Sequence, residues 1–234
     1  MIAAEPHLTH QPASPLIAGL HRLIAKYYSR KVMRHGATPL GVDWTCAATQ
    51  ELRFLQLMQL GPWPAACSLN DLGCGYGALL GYLGRYHRET SFDYVGIDLS
   101  PSMIECARQM WSAAPNRQFV VNSRIPRIAD YAVASGLFNV NLWCDEGSWE
   151  VFVADTLTQL RQTSRRGFAV NFLASGGSNA RSGLYHVLPT RWASYCTSEL
   201  HCDVRVIDDY ALDEFTLLVR NPTARGEGGA LARE

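Results

Sequence analysis

The chain has no surplus of either charge, no apolar run long enough to span a bilayer and no closely spaced cysteine pair, and each absence narrows what it can be. Its 21 Lys and Arg balance 21 Asp and Glu. The basic surplus or stripe by which phosphate backbones are gripped is therefore missing, which argues against nucleic acid as the main partner. No stretch approaches the roughly twenty apolar residues of a membrane helix. The opening Met1-Ile2-Ala3-Ala4-Glu5-Pro6-His7 lacks the basic and apolar regions of a secretory signal. No membrane partner is expected, and the cytoplasm is the expected location. Seven cysteines (Cys46, Cys67, Cys74, Cys106, Cys144, Cys196, Cys202) form no Cys-x-x-Cys pair and no cluster at zinc-finger spacing. Free buried thiols and no metal are the expectation, because even Cys196 and His201-Cys202 are dispersed over a helix running into a strand.

What is present is enough for one core. With 234 residues, 47% of them hydrophobic, the chain fits one domain. Residues 1–15 read as a flexible leader and 221–234 as a flexible tail, leaving a single domain over 16–220. A helical N-terminal segment, 16–66, holds amphipathic helices from Pro15 through Tyr27 and over Thr49 to Leu60. Over 67–220 strands alternate with helices. The strands are Ser68–Leu72, Phe92–Ile97, Gln118–Val121, Tyr131–Ser135 and Gly167–Leu173, with helices at Ala78–Tyr86, Pro101–Trp111 and Glu150–Leu160 among them. Such alternation implies an α/β fold, a doubly wound, mostly parallel sheet. Two final strands, Cys202–Ile207 and Glu214–Arg220, are joined by a link short enough to require an antiparallel pair. Seven strands with an antiparallel last one are expected.

The chemistry concentrates at Asn70-Asp71-Leu72-Gly73-Cys74-Gly75-Tyr76-Gly77-Ala78, followed about twenty residues on by Tyr94-Val95-Gly96-Ile97-Asp98-Leu99-Ser100. A strand ending in a glycine-rich turn lets backbone amides approach a ligand, and an acid closing the next strand accepts hydrogen bonds from a ribose. Gly73-x-Gly75-x-x-Ala78 also fits the looser dinucleotide fingerprint. Asp71 weighs against it, since a pyrophosphate there would be repelled. With the third glycine and the final strand pair, residues from about Asp43 to Arg220 resemble the class I S-adenosylmethionine-dependent methyltransferases.

That resemblance implies roles. Asp71, Gly73, Cys74, Gly75 and Gly77 would lie under the methionine part of S-adenosylmethionine, and Asp98 would hold the ribose hydroxyls or cap the next helix. Leu99 and Met103 would flank the adenine, with helix packing nearly as good a reading of Met103, and Ser100 is expected among the cofactor-binding residues while also fitting the cap of the next helix. Asn122 and Ser123 stand where many members carry an acid for the adenine amino group. Trp44, Gln50 and Arg53 belong to the segment that folds over the cofactor: Arg53 or Gln50 would pair with the methionine carboxylate, and Trp44 would cover the sulfonium.

The acceptor end is read from the close of the fourth strand, where Ser135, Asn139 and Asn141 either bind cofactor or substrate or satisfy loop amides. No Asn/Asp-Pro-Pro-aromatic motif and no Pro-Cys pair point to a nucleic-acid base. The insert Tyr185 to Trp192 is a candidate wall. His186 and Tyr185 are the leading candidates for a catalytic base, ahead of His35 and Glu146. Trp44, Trp143, Trp149, Tyr185 and Trp192 suggest a small, partly aromatic or apolar acceptor, methylated at oxygen or nitrogen by direct displacement. A catalytically silent cofactor-binding module is an alternative, and a nicotinamide-dependent oxidoreductase a weaker one, since no Tyr-x-x-x-Lys follows the sheet.

Overall fold

The computed structural model describes residues 14–114, 116–176 and 183–222. Most of the expected leader and tail lies outside them. A long helix α1 (Pro15–His35) starts at Ser14, whose Oγ accepts from Ile17 N, and stops where Gly36 turns with φ +68°. After a 3-10 turn (Pro39–Val42) comes α2 (Ala47–Leu57), which tightens into a second 3-10 turn (Met58–Leu60) ahead of Gly61-Pro62. There follow β1 (Ala66–Leu72), α3 (Ala78–Tyr86), β2 (Ser91–Asp98), α4 (Pro101–Met110), β3 (Arg117–Val121) and β4 (Ala129–Ala134). The second half holds α5 (Glu146–Gln162), β5 (Ser164–Ala174), β6 (His186–Val187), α6 (Pro189–Ser198), β7 (Asp203–Ile207) and β8 (Glu214–Arg220). Helix α5 begins at Glu146, ahead of the Glu150 that the apolar pattern suggests, because Asp145 Oδ1 accepts from Ser148 N at 2.8 Å and caps it.

The sheet runs β3-β2-β1-β4-β5-β8-β7, with the two-residue β6 beside β5 as an eighth strand that the sequence did not announce. Strands β1 to β5 are parallel, and β8 runs antiparallel to both β5 and β7. Alternate residues of each strand feed opposite cores. Phe168, Val170, Phe172, Phe215, Leu217 and Val219 face one side with α5 and α6. Leu69, Tyr94, Tyr131, Val133, Ala169 and Leu218 face the other with α2, α3 and α4.

Register places the carboxyl ends of the central strands together: Leu72 pairs with Ile97, Asp71 with Gly96 and Val133, and Asp98 with Val121. Chain order reverses between β1 and β4, which opens a crevice at that edge. Beneath it Phe172 stacks on Phe138 at 4.9 Å and Phe215 at 5.3 Å, parallel within 18°. Phe172→Ala is expected to cost about 3–5 kcal/mol, measured as a lowered urea midpoint. A loss within about 1 kcal/mol would mean that the neighbouring rings refill the space.

Candidate functional site

The crevice is a cavity of about 940 Å³, its open part included, between the carboxyl ends of β1, β2 and β4 and the N-terminal helices. The glycine loop forms its floor. Gly73, Gly75 and Gly77 have φ of +76°, +54° and +79°, a region that residues with a Cβ adopt at a cost. Gly73 and Gly75 line the cavity, whereas Gly77 does not. Its place is structural: it caps α3 against Trp111, whose Nε1 would lie 2.7 Å from an added Cβ and which donates to Tyr76 O.

Two carboxylates line the same cavity. Asp98 Oδ2 accepts from Gly75 N at 3.0 Å and Oδ1 from Ser100 N at 2.8 Å, so one side chain ties the loop after β1 to the turn after β2. Asp71 Oδ2 accepts from Tyr94 OH at 2.6 Å. Burial pushes Asp71 up to about 7, against the pull of the Tyr94 bond and with added push from the Asp98 charge. Burial likewise raises Asp98 to about 6, although backbone amides pull it down. No lysine or arginine is among the lining side chains described, so the cavity favours a ligand with positive charge.

Cys74, Leu99, Met103, Asn122, Ser123, Ser135, Trp44 and Gln50 also line the cavity. Met103 is fully buried, Asn122 Oδ1 accepts from Arg124 N, and Tyr76 OH donates to Gln50 Oε1 at 3.0 Å, which leaves the Gln50 amide nitrogen to donate. At the far end, Asn171 Oδ1 accepts from Gly136 N at 2.6 Å. Around that turn Ser135 Oγ, Asn139 Oδ1 and Asn171 Nδ2 are buried with no hydrogen-bond partner among the described residues.

Other expected residues are placed elsewhere. Ser100 is a helix cap: its Oγ accepts from Met103 N and bonds Ser29 Oγ, and it does not line the cavity. Arg53 is turned away too, because the buried Glu214 takes its guanidinium through Nε at 2.7 Å and through Nη2. Burial raises the Glu214 carboxyl and Arg53 draws it back. The guanidinium also rests 3.8 Å from the Trp44 ring centre, so one face of that indole already carries a cation. Tyr185 and His186 line no part of the cavity. Tyr185 is packed in the core, its OH donating to Glu150 Oε1 and accepting from Trp192 Nε1, and burial pushes it up to about 12. His186 belongs to β6, and His35 and Glu146 also lie off the cavity. Trp149 and Trp192 are core residues and Trp143 is exposed, so of the five aromatics read as acceptor-facing only Trp44 lines the cavity.

Sequence reasoning missed the walls. From α1 come His21, Ile24 and Tyr28, from α5 Phe152, Thr156 and Gln159, and from the turn after β4 Leu137. Thr156 and Gln159 are polar residues on the buried stripe of α5, a signal the sequence carried. Burial and the nearby Arg124 charge keep the His21 pKa low, against Asp155.

Comparisons with known proteins place the chain in one family. The family model described as "Methyltransferase domain" matches residues 70–143. Rv1506c of Mycobacterium tuberculosis, which carries the name of a methyltransferase, is 44% identical over 155 residues, 65% of this chain and 92% of that protein. Among solved structures, Haemonchus contortus phosphoethanolamine N-methyltransferase 1 superposes with a TM-score of 0.60 at 12% identity, covering 91% of this chain and 52% of that one. Human N-acetylserotonin methyltransferase gives 0.58 at 15% identity, over 91% and 61%. At such identities these two speak for the fold alone.

The carboxyls set a pH dependence. Both start from an ordinary 3.8 in the unfolded chain and are raised on folding. Between about pH 4 and about pH 7 the folded state therefore keeps protons that the unfolded chain has released, and their contribution to stability falls as pH rises. Asp71→Asn is expected to flatten the pH profile of unfolding free energy in denaturant titrations. An unchanged slope would show that Asp71 ionises in the fold without penalty.

Proposed function

The chain belongs to the methyltransferase family, and from that premise we propose that it moves a methyl group from S-adenosylmethionine to an oxygen or nitrogen of a small, partly aromatic or apolar metabolite. The observation that carries the reading is the joint placement of Asp98, Asp71 and the Gly73-Gly75 turn on one cavity at the reversal of strand order. When bound, the cofactor supplies a sulfonium methyl already activated for displacement. The residues present fit it. Asp98, already fixed by Gly75 N and Ser100 N, keeps lone pairs for ribose hydroxyls. Asp71 would face the cationic aminopropyl end, where a positive ligand would offset the cost of its ionisation. Leu99 and Met103 would flank the base, with Asn122 and Ser123 at its polar edge.

With Arg53 committed to Glu214, the methionine carboxylate would be held by neutral donors, Gln50 foremost, whose amide Tyr76 orients. Tyr28, Trp44, Phe54 and Phe152 give the cavity its aromatic walls, and Ser135 stands at its polar end. The absence of lysine and arginine from the described lining supports a small neutral or cationic acceptor over a polyanion. What the protein contributes to displacement is alignment of the acceptor and exclusion of water.

Calorimetry with S-adenosylmethionine and S-adenosylhomocysteine is expected to give micromolar binding to the wild type, weakened by about tenfold or more in Asp98→Ala, and no heat with NADH. Binding of NADH in place of either sulfur nucleoside would overturn the cofactor assignment. In a screen with labelled methyl groups, label is expected in small molecules. Incorporation only into protein or RNA would overturn the acceptor class.

A further inference from the structure

Arg53 is one of the expected ligand-binding residues that do not line the cavity, and its contacts form a directed chain. The residue is 6% exposed. Nε and Nη2 donate to the two oxygens of Glu214, Nη1 donates to Thr49 O at 2.7 Å, and the guanidinium carbon sits over the Trp44 ring, 3.8 Å from its centre. Trp44 in turn lies on Gly136 so closely that a Cβ there would overlap the indole. Gly136 is fixed from below by Asn171. A stack Glu214, Arg53, Trp44, Gly136 thus runs from the first residue of β8 to the turn after β4. Its last two members line the cavity, and its first two do not.

A buried ion pair is a poor source of net stability, because desolvation offsets most of the attraction. Its value here is geometric. A forked guanidinium bonded to both carboxylate oxygens has one orientation, and a ring stacked on it inherits that orientation. Besides this stack, Trp44 is held at its backbone by the bond from Trp44 N to Pro39 O, and the adjacent Asp43 pairs with Lys31.

We propose, resting on the cofactor reading above, that Arg53 is a positioning residue for methyl transfer: the Glu214–Arg53 pair presses Trp44 onto Gly136 as the wall that closes the cavity over bound cofactor. Lysine cannot replace it, since a point charge makes no fork and offers no plane to the indole.

The test is a double-mutant cycle on Arg53→Lys and Trp44→Leu, with Glu214→Gln as a second route to the same break and melting curves to confirm folding. The readouts are the dissociation rate of S-adenosylhomocysteine by stopped flow and the affinity for adenosine, which lacks the sulfur and amino-acid end that Trp44 would cover in the cofactor reading. Arg53→Lys and Glu214→Gln are each expected to speed dissociation about tenfold with adenosine affinity held within about twofold, and Arg53→Lys to add little in the Trp44→Leu background. Unchanged rates in the folded variants, additive effects of Arg53→Lys and Trp44→Leu, or an equal loss of adenosine affinity would each overturn the proposal. Failure of the wild type to bind S-adenosylhomocysteine would overturn the cofactor reading itself, an outcome distinct from binding that the variants leave untouched.

Discussion

The reversal of strand order at β1 is the constraint on which the rest of the molecule depends. From β1 the chain builds outward through β2 to β3, then returns to the other side of β1 to lay down β4 and β5. The turns leaving β1 and β4 must therefore part, and their parting leaves a crevice that helices cannot fill. Everything chemical follows that gap. The glycine turn enters it because β1 ends there, and Asp98 enters it because β2 ends beside it in register. The helices α1, α2 and α5 wall it because they are the elements left to cover its open sides.

Within the crevice, charge and polarity are divided. The floor at β1 and β2 carries two acids whose ionisation folding opposes, and the turn after β4 carries neutral amide and hydroxyl groups, some of them without a partner among the described residues. A ligand that is cationic at one end and meets neutral hydrogen-bonding groups at the other satisfies both regions. Arg53, a strong cation beside the crevice, is neutralised by Glu214 before it reaches the cavity.

Much of this was legible in the residues. The helix of Ala78 to Tyr86 and the last strand, Glu214 to Arg220, follow directly from apolar spacing and turn chemistry, and the antiparallel pairing from the shortness of the link. The glycine turn and Asp98 were legible because their chemistry is local: backbone conformation and a strand-end acid need no distant partner. What was hidden depends on partners far along the chain. Glu214 reads as an ordinary strand residue until β8 is seen to dock beside β5, so nothing near Arg53 reveals that its charge is already taken. Tyr185, Trp149 and Trp192 look like pocket aromatics in sequence because composition cannot distinguish a ring facing a cavity from one facing a core. His21 and Tyr28 were missed for the complementary reason: α1 shows a regular inner face, and only packing decides that part of it meets a void.

The insertion of β8 between β5 and β7 has a consequence for how the molecule is made. Arg53 and Glu214 are separated by 161 residues, so the ion pair behind Trp44 joins segments far apart in the chain. A nascent chain emerging N-terminus first contains the glycine turn, both acids and Trp44 long before the last strand exists to anchor them. Until that strand slots in antiparallel, Arg53 has no counter-charge and the edge of β5 is bare. Completion of this cavity wall thus coincides with completion of the sheet, and a chain stopped short of β8 carries the glycine turn and both acids but no ion pair behind Trp44.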